Sequence, residues 1–249
     1  YTKIKYIYKS ISSNKLNINN LISILTITRY RPKKFENLVN SILENTSNLN
    51  NVEMIVLIDM DEKYEKDYKD IIDKFKYKLN IRLIQIDIEK NTQKNNYLSK
   101  ISKGNLLFIV ADDMIFAKNW DIYINNEANK FDKNIPFMIW PKEKGFKYPF
   151  LHNNAPIINR VWFDKCGFFQ PEELHHFYAD NWMCDIGRKY GQFIITKEII
   201  YDHLHSEKKD GLIDETHKNT MRRSKNYNEE KIYNELKNSQ NDVVKRLLN

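Results

Sequence analysis

The chemistry that stands out first in this sequence is a pair of adjacent carboxylates that ends an apolar run. Residues 104–113 read GNLLFIVADD, so Asp112 and Asp113 directly follow a segment typical of a strand buried on both faces. Open α/β sheets bind their ligands outside the carboxyl ends of such strands. Two adjacent carboxylates repel each other, and a divalent cation with oxygen ligands is the simplest partner for them. The pair therefore predicts a metal site at a sheet edge.

Charged residues also follow two other predicted strands. The first predicted strand ends at Thr28 and is followed by Arg29, and the strand over residues 52–58 is followed by Asp59 and Asp61. The carboxyl ends of parallel strands meet at one edge of a sheet, so the three clusters together predict a pocket for a charged ligand. A single polar strand end is explained equally well by the chain emerging into water.

The sequence lacks the glycine-rich loops that bind phosphate. It contains neither GxGxxG after the first strand nor GxxxxGK[ST], which argues against a Rossmann dinucleotide enzyme and a P-loop NTPase. If a nucleotide binds, its phosphates need another countercharge, and a metal held by Asp113 would supply it.

Two further segments contain residues suited to metal binding or acid–base chemistry. His203 and His205 are spaced so that they share one face of a strand, where they either bind a metal through imidazole nitrogens or form an ordinary surface pair. Asp180 stands where a helix begins. At this position Asp180 either caps the N-terminus of the helix or acts as a general base that the first turn of the helix positions.

The elements that must position these residues alternate through the first 110 residues. Strands are predicted over residues 21–28, 52–58, 81–88 and 106–110. Helices are predicted from Pro32 onward, where apolar residues follow at helical spacing, and over residues 62–78 and 95–102. This order implies parallel pairing with right-handed crossovers, and hence an α/β fold with a doubly wound, mostly parallel sheet flanked by helices.

The second half has a less regular pattern. Helices are predicted over residues 120–131, 160–166, 179–190 and 229–248, and strands over residues 137–140, 155–158 and, as one strand or two, 193–201. No linker rich in Gly, Pro or Ser divides the chain, which predicts a single domain over residues 1–249. Its predicted parts are an N-terminal extension (1–18), a nucleotide-binding half (21–113), an acceptor half (114–216) and a C-terminal helical tail (217–249).

Composition bounds the class of protein. The 249 residues are 41% hydrophobic, enough for a substantial core, and no apolar run is long enough for a transmembrane helix. The beginning of the sequence has no apolar signal-peptide core, and the two cysteines form neither a metal motif nor a disulfide framework, so a cytoplasmic setting in a bacterium or a virus-infected host is expected.

The net charge of +7 would attract nucleic acid, an anionic membrane or a phosphorylated substrate, although an overall bias toward Lys, Asn and Ile explains the charge equally well. Oligomeric state stays open.

Taken in order, these segments resemble the GT-A glycosyltransferases close to family 2, of the phage and bacterial type. In the first half the resemblance rests on LTITRYRP at 25–32, VLID at 56–59, KNN at 94–96, SKGN at 102–105 and ADD at 111–113, which stands at the DXD position. In the second half it rests on NRVWFDKCGFF at 159–169, AD at 179–180 in place of the usual Glu-Asp, HLH at 203–205 and DET at 214–216. The resemblance covers residues 21–216.

The resemblance implies a nucleotide-sugar donor and a divalent metal, Mn²⁺ or Mg²⁺. It makes Asp113 the metal ligand, with His203 or His205 completing the site, and an imidazole ligand favours Mn²⁺. The residues that would contact the nucleotide are Asp112 at the ribose, Asp59 at the base, and Thr28, Arg29 and Lys94 around them. Asp180 would take the proton from an acceptor hydroxyl, with inversion at the anomeric carbon.

The acceptor and the activity itself have competing interpretations. In one interpretation the acceptor is a saccharide. In another the same chemistry acts on a hydroxylated base of phage DNA, and the positive net charge of the protein fits this second acceptor. A third interpretation is a nucleotidyltransferase or an inactive module that only binds nucleotide-sugars.

Overall fold

The computed structural model describes residues 4–9, 16–17, 21–145, 154–204 and 214–249. Within these ranges the chain forms one mixed sheet with helices packed on it. Its strands are β1 (Ile4–Lys9), β2 (Ile22–Ile27), β3 (Val52–Asp59), β4 (Asn80–Ile86), β5 (Leu106–Ile109), β6 (Met114–Phe116), β7 (Met138–Glu143), β8 (Ile157–Asn159) and β9 (Phe193–His203). Across the sheet they follow the order β1-β4-β3-β2-β5-β8-β7-β9-β6.

The N-terminal half of this sheet is parallel. β4, β3, β2 and β5 lie side by side and run in the same direction. They are connected by α1 (Pro32–Asn45), α2 (Glu65–Phe75) and α3 (Asn91–Ile101). Every residue of β3 is buried, as expected for a strand that is covered on both faces. The predicted doubly wound, mostly parallel sheet is confirmed.

Helix α1 shows how the sequence positions the edge of the sheet. Pro32 occupies its start, where a missing N–H has no cost, and the apolar residues at helical spacing are buried against the sheet. The buried face fixes the rotation of the helix, so its first turn lies beside the carboxyl ends of β2 and β5. Arg31 and Lys34 occupy that first turn.

The second half of the sheet is mixed. β8 pairs antiparallel with β5 and with β7, β7 runs parallel to β9, and β9 pairs antiparallel with β6. The helices of this half are α4 (Trp120–Ala128), α5 (Arg160–Cys166) and α6 (Ala179–Tyr190). β9 is one strand of 11 residues, which resolves the choice between one strand and two that the sequence leaves open.

The C-terminal segment wraps back over the domain as α7 (Glu215–Tyr227), α8 (Glu229–Leu236) and α9 (Gln240–Leu248). Short 3₁₀ turns lie at Leu49–Asn51 and Lys237–Ser239. Val243 and Leu247 of α9 are buried in the same apolar cluster as α5 and α6. None of the helices in the described ranges has the length and apolar character that crossing a membrane requires.

Several elements differ from the sequence-based expectation. β1 lies in the predicted N-terminal extension, and the predicted helix over residues 229–248 is divided into α8 and α9. α3 begins at Asn91 rather than at residue 95, because Asn91 N–H and Thr92 Oγ1 donate to the carbonyls of His175 and Leu174 and so fix its polar first turn. The pattern missed β6 because the strand is three residues long. A helical tail is expected over residues 217–249, but no separate helix is predicted where α7 lies, because α7 buries no side chain and has no apolar periodicity.

The close approach at Gly104 provides a test of this packing. A Cβ at this buried position would lie 2.4 Å from Ser23 Oγ, 2.7 Å from Ser23 N and 2.9 Å from the carbonyl oxygen of Leu21. Because two of these atoms are backbone, Gly104→Ala is expected to lower the free energy of unfolding by about 3 kcal/mol. Urea denaturation measures this loss.

Gly191→Ala is the matched control for that substitution. Gly191 follows α6 with φ of +83° and nothing within 4 Å of an added Cβ, so only backbone strain of about 1 kcal/mol is expected. Equal losses in the two variants would contradict the close approach at Gly104.

Candidate active site

The carboxyl edge of the parallel strands brings together the three charged clusters that the sequence singled out. β2 pairs in parallel register with both β3 and β5, so the residues after these strands emerge side by side. The predicted site residues found at this edge are Thr28, Arg29, Asp59, Lys94, Asp112, Asp113 and His203. Of the other predicted site residues, Asp180 lies at the start of α6 and His205 lies outside the described residues.

Asp112 is held inside the protein by two side chains. Thr28 Oγ1 donates to its Oδ2 at 2.7 Å, and the Arg31 guanidinium donates to its Oδ1 at 3.0 Å. Burial raises the pKa of Asp112 to about 6, against the opposing effect of Arg31. Both oxygens of this carboxylate therefore have partners from the protein itself, and its predicted contact with a ribose stays a prediction.

Asp113 is turned toward β9. Its Oδ1 lies 3.0 Å from His203 Nε2, and its Oδ2 lies 3.5 Å from Lys34 Nζ and 4.0 Å from the Arg31 guanidinium. Burial alone would raise the pKa of Asp113, but the hydrogen bond from His203 and these two cations lower it to about 2. Asp113 is thus a carboxylate held in its charged form by positive neighbours.

The β6–β9 pairing explains why His203 meets Asp113. His203 pairs with Met114 in antiparallel register, and Leu204 N–H donates to the carbonyl of Asp113 at 3.0 Å. Asp113 comes directly before Met114, so its carboxylate lies close enough to contact the His203 imidazole. Of the predicted pair of histidines, His203 is the one whose position the structure describes.

The donor set of this pair fits a divalent metal only in part. A carboxylate oxygen and an imidazole nitrogen suit Mn²⁺ well. Within the described residues no group of three or more His, Cys, Asp or Glu side chains is arranged to hold a metal. Asp113 and His203 would therefore be two protein ligands of an ion whose remaining ligands come from a bound diphosphate, from water or from the undescribed His205.

A second ionic cluster lies at the end of β3. Arg29 donates to Asp59 and, at 2.8 and 2.7 Å, to both oxygens of Asp61. Lys94, which is buried at the start of α3, donates to the other oxygen of Asp59. Burial lowers the pKa of Lys94, and Asp59 offsets part of this shift. The cluster confirms that these predicted residues are neighbours, while the role of Asp59 at a nucleobase stays a prediction.

The two halves of the site are joined by Arg31, a residue of the LTITRYRP segment for which no role was predicted. The Arg31 guanidinium bonds to Asp112 through one nitrogen and to both oxygens of Asp214, at 2.7 and 2.6 Å, through the other two. Tyr68 OH accepts from Arg31 N–H at 2.9 Å and fixes its backbone. Lys34 Nζ lies 3.3 Å from Asp214. The three-residue spacing of Arg31 and Lys34 at a helix start, beside strand-end carboxylates, is the signal that could have found them.

Asp214 brings the C-terminal segment to this site. It caps α7 by accepting from His217 N–H at 2.9 Å, and the next turn is fixed by Thr216 Oγ1, which donates to the Arg29 carbonyl at 2.9 Å. Burial alone would raise the pKa of Asp214, but Arg31 holds it well below its usual range. The start of α7 and the residues Tyr30, Lys63 and Tyr64 line a cavity of about 170 Å³.

Asp180 lies in the first turn of α6, but it is not the residue at the N-cap. That position is Tyr178, whose φ is +63°. The Asp180 carboxylate accepts from the neighbouring Asn181 N–H at 2.9 Å. It also acts electrostatically on His176 and on the buried phenol of Tyr201, two residues before His203 along β9. Asp180 is therefore close to β9, whose last residue is His203, and its predicted role as general base stays open.

Solved structures provide the comparison with known proteins, because no protein-family profile and no curated protein sequence matches this chain. The fold is similar to that of S. aureus TarS, with a TM-score of 0.57 and 16% identity over 74% of this chain and 36% of TarS. A shorter form, TarS 1–349, was solved in complex with UDP-GlcNAc and matches with a TM-score of 0.56 and 15% identity over 73% of this chain and 58% of that one. The mannosyltransferase PcManGT from Pyrobaculum calidifontis, in complex with GDP-Man and Mn²⁺, matches with a TM-score of 0.60 and 9% identity over 77% of this chain and 59% of that one.

These likenesses establish the fold of the chain. It is a GT-A-like α/β fold, as the sequence resemblance predicted. The chain spans 36% of the length of TarS and 59% of that of the mannosyltransferase.

Proposed function

We propose that this chain is a metal-dependent glycosyltransferase, which transfers a sugar from a nucleotide-sugar to an acceptor hydroxyl. The observation that carries the proposal is the Asp113–His203 pair beside Arg31 and Lys34, at the ligand-binding edge of the parallel strands. A carboxylate and an imidazole suit a divalent cation, and two further cations suit the diphosphate of a nucleotide. The fold supports the same function, because similar structures were solved with UDP-GlcNAc and with GDP-Man and Mn²⁺.

The nucleotide would lie along this edge. Arg31 is suited to grip the diphosphate, because its planar guanidinium pairs bidentately with phosphate oxygens as it now does with Asp214. Lys34 would add a point charge. We assign the ribose to Asp112, the base to Asp59, and the walls of the nucleotide pocket to Thr28, Arg29 and Lys94.

Asp113 and His203 are the residues that would hold the metal, with His205 as a further candidate. When bound, Mn²⁺ or Mg²⁺ would act as a Lewis acid that stabilises negative charge on the leaving diphosphate. The hydrogen bond between Asp113 and His203 keeps the two donor groups facing each other in its absence. We favour Mn²⁺ because of the imidazole ligand.

Asp180 is the proposed general base. Its carboxylate would accept the proton of the acceptor hydroxyl as that oxygen attacks the anomeric carbon. Attack from the face opposite the leaving group inverts the configuration at that carbon. A saccharide hydroxyl is the proposed acceptor.

A thermal-shift screen tests this function. The protein is heated with UDP-, GDP-, CMP- and dTDP-sugars, each with and without Mn²⁺. A ligand that binds the native state at 100 times its Kd raises stability by about 2.7 kcal/mol. At least one nucleotide-sugar is expected to raise the Tm, and more so with Mn²⁺. No shift with any donor under either condition would refute the proposal.

The contact between Asp214 and the two cations gives a further prediction. Its carboxylate occupies Arg31 and Lys34, so a diphosphate must compete with it. Asp214→Asn removes the charge but keeps a good N-cap for α7. The affinity for the nucleoside diphosphate identified in the screen is expected to rise about tenfold, or about 1.4 kcal/mol. Calorimetric titration measures the change.

Asp242→Asn is the matched control for Asp214→Asn. Asp242 is an exposed carboxylate in the first turn of α9, paired only with Lys245 in the described structure, and its loss should leave the affinity unchanged. A lower affinity in Asp214→Asn would mean that Asp214 assists binding of the diphosphate rather than competing with it.

A further inference from the structure

The connection between α5 and α6 presents one histidine to solvent and buries its neighbour. His175 is 2% exposed, and its ring stacks on that of Tyr227. His176 is exposed, with its ring edge-on to Phe177 at 4.9 Å between centroids. None of the chemistry proposed above uses His176.

The protein fixes the backbone of His176 from two sides. Glu229, which is 2% exposed, accepts the backbone N–H groups of His175 and His176 with the same Oε1, at 2.7 and 2.6 Å. From the other side, Asn91 N–H donates to the His175 carbonyl at 2.9 Å. A buried carboxylate and the start of α3 thus hold a segment that would otherwise be a free loop.

The ring of His176 is oriented as well. The Asn91 side-chain nitrogen lies 3.0 Å from His176 Nδ1. An amide NH₂ group can only donate, so Nδ1 accepts and the ring proton is on Nε2. A ring whose Nδ1 accepts a hydrogen bond is neutral, and desolvation, which lowers the pKa of His176 below its ordinary value against the effects of Asp180 and Glu229, favours the same form. In the described part of the chain no group bonds to Nε2, which leaves a neutral N–H donor directed away from Asn91.

The contacts of His176 place this donor near the candidate site. Asn91, which contacts the His176 ring, lies one turn before Lys94, which binds Asp59, and Asp180 follows His176 by four residues in the first turn of α6. The charged groups that act electrostatically on His176 are Asp180, Glu229, His217 and Arg31. Under the proposed function, Asp180 receives the acceptor proton and Arg31 binds the diphosphate. The transferred sugar is bonded to the diphosphate at the carbon that the acceptor attacks, so it must lie between these two groups. His176 is within electrostatic reach of both.

We infer that His176 binds the donor sugar, with Nε2–H donating a hydrogen bond to a hydroxyl or carbonyl oxygen of that sugar. The inference rests on the proposed function and extends it, since it assigns recognition of the sugar to a residue outside the nucleotide pocket. A neutral hydrogen-bond donor suits this task because sugar oxygens are uncharged. A cation at this position would instead compete with Arg31 for the diphosphate.

The test separates the sugar from the nucleotide. Calorimetry with Mn²⁺ measures the affinities of the wild type, His176→Leu and His176→Gln for UDP, UDP-GlcNAc, GDP and GDP-mannose. In His176→Leu, affinity for the bound nucleotide-sugar is expected to fall about tenfold, while that for the matching nucleoside diphosphate stays within about twofold. His176→Gln retains a donor near the position of Nε2 and should stay within about threefold of the wild type for both ligands.

Each alternative outcome has a distinct meaning. Equal losses of affinity for the diphosphate and the nucleotide-sugar in His176→Leu would overturn the inference, because the residue would then act on the nucleotide or on the fold. Unchanged affinity for both ligands would overturn it too. The inference is also contradicted if the wild type binds the diphosphates but binds neither nucleotide-sugar more tightly than the His176→Leu variant does. A wild type that binds none of the four ligands, and none of the nucleotide-sugars in the thermal-shift screen, would refute the proposed function itself, and the inference with it.

Discussion

Asp180→Asn is expected to abolish sugar transfer while leaving donor binding nearly intact. An amide cannot accept the proton of the acceptor hydroxyl, and a positioned general base contributes about 10² to 10⁴ in rate. Asn has the same shape as Asp, and its amide oxygen can still accept the N–H of Asn181, so the first turn of α6 should persist. Transfer is measured as release of nucleoside diphosphate in the presence of acceptor, and donor affinity by calorimetry.

Asp164→Asn is the matched control for this substitution. Asp164 is an exposed carboxylate on α5, and its neutralisation should change neither kcat nor donor affinity. If Asp180→Asn retained the turnover of the wild type, Asp180 would not be the base. If it lost donor affinity as well, its main role would be in positioning the donor.

Asp113→Asn should remove the metal dependence of donor binding. In the wild type, Mn²⁺ is expected to strengthen the binding of the nucleotide-sugar, because Asp113 and His203 would hold the ion and its positive charge would stabilise the diphosphate. Mutation of a residue that only hydrogen-bonds to a metal ligand typically lowers metal affinity by about 10- to 100-fold. Loss of a direct ligand should therefore lower it by at least about 100-fold. Calorimetric titrations with Mn²⁺ and with EDTA give the two affinities for each variant.

Asp112→Asn separates this role from simple loss of charge. Both carboxylates accept hydrogen bonds from the protein, so both substitutions should lower the Tm. Only Asp113→Asn should remove the effect of Mn²⁺ on donor affinity. An Asp113→Asn protein that still bound its donor more tightly with Mn²⁺ than with EDTA would show that Asp113 does not hold the metal.

The sequence predicted those features of the fold and site that depend on local pattern. Buried strands and the helix after Pro32 have strong periodic signals, and a parallel sheet brings the residues after Thr28, Asp59 and Asp112 to one edge without further information. Asp113 could therefore be identified as the carboxylate at the end of β5. Its nearness to His203 needed the resemblance to a known family as well, because no local pattern pairs residues 90 positions apart.

The remaining features depend on contacts between distant segments. Arg31 binds Asp214 across 183 positions, and Glu229 binds the backbone of His176 across 53. Nothing in the local sequence of α7 indicates such a partner, because this helix is polar on every side and buries no residue. The direction of the His176 ring depends on Asn91, a residue that the sequence places before the predicted start of its helix. Such features follow from tertiary packing, which overrides local preference.

The ion pair between Arg31 and Asp214 also has a consequence for how the protein folds. The parallel strands β2 to β5 and their connecting helices end before residue 110, so this half of the sheet is synthesised before the C-terminal segment. The contact between Arg31 and Asp214 at the start of α7 closes a loop of 183 residues, and that between His175 and Glu229 of α8 closes one of 54. Closing such loops costs conformational entropy. During synthesis, Arg31 and Lys34 therefore emerge long before Asp214, and their ion pairs with this residue form only after most of the chain has been made.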